Sequence, residues 1–152
     1  MSDAQESIDR TVESIQAAIT QVVLDRGWGL TQIPGKLIWS LELQGERTYQ
    51  CYIQIEADQG QALFYGIVPT TVAPDARTEA AVAVTAINYG LAVGKFELDL
   101  TDGEVRFSTG IDVRGTTLDP VVYARMADHT IEMLDAYTPT LLERIPLPDL
   151  GG

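Results

Sequence analysis

His129 is the single histidine of the chain. Asp128 stands beside it, Glu132 lies one helical turn on, and Met126 and Met133 flank it at helical spacing. An imidazole among carboxylates is the usual starting point for a metal centre or for a base that activates a nucleophile. The spacing supports neither. A zinc site needs three or four ligands, and there is no second histidine to complete a helical two-histidine motif. A serine or cysteine triad would need this same imidazole, and no Gly-x-Ser-x-Gly elbow occurs to hold a nucleophile. Cys51 is the only cysteine, so no disulfide can close within the chain. Tyr49, Ile53 and Ile55 alternate with it as in a strand, which marks a small buried hydrophobe rather than a reactive thiol. Gly90 and Gly94 follow a helical stretch instead of opening one, so they cannot cradle a phosphate on a helix N-terminus. We expect no catalytic residue, no metal and no cofactor, and hence a protein that is not an enzyme.

Binding is the remaining chemistry. Trp28, Trp39, Tyr49, Tyr52, Phe64 and Tyr65 cluster in one part of the chain. Most belong in a core. Tyr52 is out of phase with Cys51 and Ile53, so it belongs on the opposite face of its strand, together with Ile38. Such a face is too apolar for plain solvent, which makes Ile38 and Tyr52 the expected partner-binding residues. Asn88 offers a neutral amide near the end of a helix, able to cap carbonyls or reach an adjoining strand. With Tyr65 it marks the alternative, a small-ligand pocket between the middle helix and the sheet.

Charge narrows the partners. The 152 residues carry 22 acidic and 10 basic side chains, a net charge of −12. Phosphate backbones and anionic lipid surfaces repel such a chain, which argues against nucleic acid and membrane as partners. The opening Met-Ser-Asp-Ala-Gln-Glu-Ser has neither the basic region nor the apolar run of a signal peptide. No apolar stretch approaches membrane-spanning length. A cytoplasmic location is the expectation.

These residues must be placed by an α+β arrangement. Ile8, Val12, Ile15, Ile19, Val22 and Val23 recur at helical spacing over residues 3–26, with Asp3 and Glu6 as candidate caps and Gly27 as the stop. Short alternating runs follow: Trp28–Ile33, Lys36–Leu43, Thr48–Glu56 and Gln61–Val68, joined by hairpin-length turns into an antiparallel meander. Pro69 should end it. A helix begins at Pro74 and reaches about Leu91, rich in alanine and suited to close packing on nearly all sides. Phe96–Phe107 reads as a hairpin with Asp102-Gly103 at a two-residue tip. That register sets Leu98 opposite Phe107, Asp99 opposite Arg106 and Leu100 opposite Val105. A last helix runs from Asp119-Pro120 to about Tyr137, and Pro139 restarts the chain. The order is α-β-β-β(-β)-α-β-β-α in one domain, 1–144, with a proline-containing tail at 145–152. The expected fold is an antiparallel sheet with helices on one face.

Several residues in this order carry a resemblance: Tyr65 with Pro69, Arg77, Asn88, the run Gly94-Lys95-Phe96-Glu97-Leu98-Asp99, the hairpin Asp102-Gly103-Glu104-Val105-Arg106, and Asp135-Ala136-Tyr137. Over roughly Ile15 to Leu142 the chain resembles the YbjN family, bacterial proteins labelled as sensory transduction regulators. The tail lies outside that pattern. The family is similar in fold to type III secretion chaperones, α+β proteins that commonly homodimerise and bind extended segments of other proteins. The resemblance thus implies a non-enzymatic, chaperone-like regulatory module, acting as a homodimer and binding a protein or peptide partner through an apolar sheet face or edge.

Overall fold

The structure is a computed structural model and describes residues 2–144. Helix α1 spans Asp3–Arg26. Its cap is Ser2 rather than Asp3: the Ser2 hydroxyl accepts the Gln5 N–H at 3.2 Å. Asp3 and Glu6 lie in the first turn, where their charges favour the positive end of the helix dipole. Gly27 closes the other end in the left-handed conformation.

Six strands form one antiparallel sheet in the order β1-β2-β3-β4-β6-β5. They are β1 (Thr31–Gln32), β2 (Ile38–Gln44), β3 (Thr48–Glu56), β4 (Gln61–Thr71), β5 (Lys95–Leu98) and β6 (Glu104–Asp112). β1 is far shorter than the run Trp28–Ile33 suggests. The Trp28 ring turns inward, 6.2 Å from Phe64, which draws the chain off the sheet edge. β4 continues past Pro69. The missing N–H costs little there, because pairing to β3 has ended at Gly66 and the β6 register is irregular between Ile67 and Thr71.

A 3₁₀ turn, Pro74–Ala76, leads into α2 (Arg77–Tyr89). This helix carries the chain from β4 to the far edge strand β5, and β6 then returns to fill the place between them. α2 is not enclosed on nearly all sides. Ala80, Ala83 and Val84 are buried, while Val82 and Tyr89 face solvent. α3 (Pro120–Arg144) does not stop near Tyr137 but runs through Pro139. An interior proline costs about 3 kcal/mol. Leu134 and Leu141 are fully buried, and burying each side chain contributes about 1.5–3 kcal/mol, enough to offset that cost.

All three helices pack on one face. Tyr123 of α3 meets Phe64 edge-on at 6.2 Å, and Tyr137 meets Phe96 at 5.7 Å. Gly66 lies directly under α3: a Cβ there would stand 2.5 Å from Leu134 and 2.7 Å from Thr130. The inward residues of β3, Tyr49, Cys51, Ile53 and Ile55, are buried as their alternation requires.

The β5–β6 hairpin corrects the expected register by two residues. Phe96 faces Phe107, Glu97 faces Arg106 and Leu98 faces Val105. The tip is a four-residue loop, Leu100–Gly103, closed by the Gly103 N–H to the Asp99 carbonyl at 2.8 Å. Asp99 Oδ1 accepts the N–H of Thr101 at 2.8 Å and its hydroxyl at 2.6 Å, an Asx turn that competes with the two-residue tip. Arg77 decides the outcome from outside the hairpin, donating to the carbonyls of Val72, Leu100 and Thr101. Gly103, at φ +80°, lies against the Val72 backbone, where no side chain fits. A shift of two keeps every residue on its expected face but changes its partner.

The partially exposed pair Glu97–Arg106 (Nε to Oε1 2.9 Å) should show a coupling energy of about 0.2–1 kcal/mol. Exchanging the two residues, Glu97→Arg with Arg106→Glu, should recover part of the stability lost in either single variant. Exchanging Asp99 with Arg106 should recover none. Urea denaturation of the two cycles distinguishes these registers.

Candidate functional site

Among the described residues no helix covers the second face of the sheet. Alternation from Cys51 and Phe64 outward places one cross-strand row as Ser40, Tyr52, Tyr65 and Ser108 on β2, β3, β4 and β6. The next row is Ile38, Gln54, Leu63 and Gly110. On the other side Ile67 stands opposite Arg106, which stands opposite Glu97. Ile38, Tyr52, Leu63, Tyr65 and Ile67 are each half-buried by their neighbours alone. The sequence-predicted pair Ile38 and Tyr52 is thus brought onto one face, joined by Leu63, Tyr65 and Ile67. The Arg106 guanidinium lies 4.2 Å from the Tyr65 ring centroid and is held by Glu97. Burial pushes the Tyr65 hydroxyl up, and Arg106 opposes the shift.

The edges differ. Phe96 of β5 turns its N–H and C=O outward, and Asn88 takes both: Nδ2 donates to the carbonyl and Oδ1 accepts the N–H, each at 2.8 Å. One amide stands in for a neighbouring strand. At the opposite edge β1 pairs only with Trp39 and Ser40. Among the described residues no strand covers β2 from Leu41 to Gln44.

Tyr65 and Asn88 therefore do not line a common pocket. Tyr65 faces the open side of β4, and Asn88 is spent at the sheet edge beyond β6. A different concavity, about 330 Å³, opens between α1 and β2, with Ile19, Val23, Leu24, Leu30, Trp39 and Ile55 in its wall. The sequence hinted at it only through the apolar edge of the α1 stripe.

Several other titratable groups bond within the fold. His129 donates from Nε2 to the Val93 carbonyl at 3.0 Å, with its ring edge-on to Phe107. Cys51 is fully buried, and that burial pushes its thiol up to about 12. Asp135, unremarked as a single residue, pins the β2–β3 turn to α3: Oδ1 accepts the Glu46 N–H at 2.9 Å and the Tyr49 hydroxyl at 2.7 Å. Burial first, then this bond, raises Tyr49 to about 12. Tyr123 donates to the Leu63 carbonyl at 2.9 Å and is pushed up by burial. Among the described residues no group of three or more His, Cys, Asp or Glu could hold a metal ion. Among the described residues no helix is long and apolar enough to cross a membrane.

The YbjN family profile, described as "Putative bacterial sensory transduction regulator", matches residues 11–143. Comparison with curated protein sequences finds no match. Among solved structures the chain is similar to E. coli YbjN, described as "a putative transcription regulator", at 18% identity and a TM-score of 0.65. That match covers 88% of this chain and 96% of the other. It is also similar to a chain of the HopA1–SchA chaperone–effector complex, at 11% identity and a TM-score of 0.60, covering 83% and 94%. Both likenesses support the α+β chaperone-like fold.

Two outcomes follow from the site. Asn88→Ala should destabilise the protein by about 1–3 kcal/mol and speed hydrogen exchange at the Phe96 amide, because both backbone groups lose their partner. The protein should also lose stability at high pH. Cys51 and Tyr49 have folded pKa values of about 12 against ordinary values of 9.0 and 10.0. The folded state therefore holds protons that the unfolded chain has released. Stability is full below pH 9 and falls as pH rises toward 12. Urea midpoints from pH 8 to 11 should decline, and less steeply in Cys51→Ala.

Proposed function

The chain belongs to the YbjN family, and from that premise we propose that it is a non-enzymatic protein-interaction module that binds a segment of a partner protein on its open sheet face. The observation that carries this reading is, among the described residues, a six-stranded sheet with helices on one side only and an apolar rib, Ile38, Tyr52, Leu63, Tyr65 and Ile67, across the other. An extended segment could lie along the rib, or add main-chain hydrogen bonds at β2 beyond Ser40, where the edge is uncovered. The chaperone–effector structure shares the fold, which supports a polypeptide as the kind of partner. Net charge of −12 favours segments with basic flanks. The reading includes a homodimer of a single domain, residues 1–144, in the cytoplasm, with no nucleic-acid or membrane partner. The small-ligand alternative loses its proposed walls, since Tyr65 and Asn88 stand apart.

A photo-crosslinking amino acid at position 52 tests this in cells. The expected result is a discrete adduct with a second polypeptide, absent when the same group replaces exposed Gln21 on α1. Absence of an adduct at 52, or equal labelling from 21, would sink the reading.

A further inference from the structure

Apolar surface and charge are ordered on the open face of the sheet. The outward residues of β4, Leu63, Tyr65 and Ile67, form a line along the strand at steps of about 7 Å. Gln54 and Tyr52 of β3 flank it on one side, and Gly110, Ser108 and Arg106 of β6 on the other. The same parity gives the charged strand residues of this face: Glu42, Glu56, Glu97, Glu104 and Asp112 against Lys95 and Arg106. Arg106 is held by Glu97 at 2.9 Å, and Asp112 by Arg114 at 2.8 Å. Among the described residues Glu42, Glu56 and Glu104 form no ion pair, nor does Lys95. Two of these free carboxylates close the ends of the β4 line. Glu56 lies opposite Gln61, one outward residue past Leu63. Glu104 is one outward residue past Arg106, which stands opposite Ile67. From the level of Glu56, marked on β6 by Asp112, to Glu104 is about 27 Å of extended strand.

We propose that the segment bound on this face is an extended stretch lying along β4, with every second residue apolar and a Lys or Arg at each end. It rests on the polypeptide-binding reading above and adds the segment's chemistry and path. An extended chain presents its same-face side chains at intervals of about 7 Å. That is the interval of Leu63, Tyr65 and Ile67, so three alternating apolar residues meet three rib residues in step. A helix repeats one face at about 5–6 Å and falls out of step. One same-face residue further at either end, the chain reaches Glu56 and Glu104. Both are partly buried, so each carboxylate has lost some of its water and gains from an arriving cation. Burial, then Asp102, already raises the Glu104 carboxyl. Lys95 stands off this path, two strands from β4 on the border strand β5. An acidic segment would meet carboxylates at both ends. A second copy of this face would oppose Glu56 and Glu104 with carboxylates of its own. A segment paired to the free edge of β2 would lie three strands from the β4 line.

Fluorescence anisotropy of labelled synthetic peptides on the full chain provides the test. The peptide is Lys-Lys-Val-Ser-Leu-Ser-Val-Lys-Lys, whose outer Lys, Val and Leu side chains share one face when extended. Its controls carry Glu in place of every Lys, or Ser in place of Val and Leu. Two charge-matched variants are compared. One is Glu56→Gln with Glu104→Gln on the sheet face, the other Glu13→Gln with Glu132→Gln on exposed positions of α1 and α3. Circular dichroism melts verify that each folds, and the peptide series decides alone should either fail. The Lys peptide should bind at least about tenfold more tightly than either control, and added salt should weaken it. The sheet-face variant should lose about fivefold, and the helix variant should stay within about twofold of the wild type. Equal binding of the Lys and Glu peptides overturns the proposal. So does equal binding without the apolar residues, or no binding of the Lys peptide at all. Equal loss in the two variants also overturns it, because the attraction is then to the acidic chain as a whole. In each of these cases an adduct at position 52 leaves the polypeptide-binding reading standing, and its absence removes that reading as well.

Discussion

The contact of α3 with β4 at Gly66 organises the molecule, because it decides which face of the sheet is dry. A side chain at Gly66 would collide with Leu134 and Thr130, so glycine allows the helix to lie on the strand itself. With α3 seated there, Phe64 meets Tyr123 and Phe96 meets Tyr137, and the inward rows of β3, β4 and β6 close into one core. Strict period-two alternation then sends Tyr52, Tyr65 and Arg106 to the other side. The open face and the core are two consequences of one parity.

Side chains that reach backbone groups hold the rest in place. Asn88 covers the edge of β5, Arg77 fastens the hairpin tip, and Asp135 ties the β2–β3 turn to α3. Each satisfies polar groups that a short element or a tight loop leaves without partners. These same residues are among those that carry the family resemblance. Their work is to hold the frame of the fold together.

The frame presents surfaces of different character. The sheet rib is half-buried and bordered by polar groups such as Arg106 and Glu97. The outward side of α2 is more exposed, with Val82 and Tyr89 facing solvent. Cys51 is buried in the core, and His129 bonds the Val93 carbonyl in the loop after α2.

The sequence by itself determined the α+β class, the element order and the face of nearly every strand residue, because helical and strand periodicities are local and the buried face is written into them. It also placed Ile38 with Tyr52 and Asn88 near an adjoining strand. The two-residue error in the hairpin arose because Asp102-Gly103 is a strong local turn signal, whereas Arg77 and the Val72 backbone act on the loop from elsewhere. Pro139 likewise reads as a stop until Leu141 is seen to be buried. The separation of Tyr65 from Asn88, the open side of α2 and the concavity beside Trp39 were decided by tertiary structure alone. Each depends on which elements lie opposite one another, and contacts between residues distant in the chain leave no trace in local pattern.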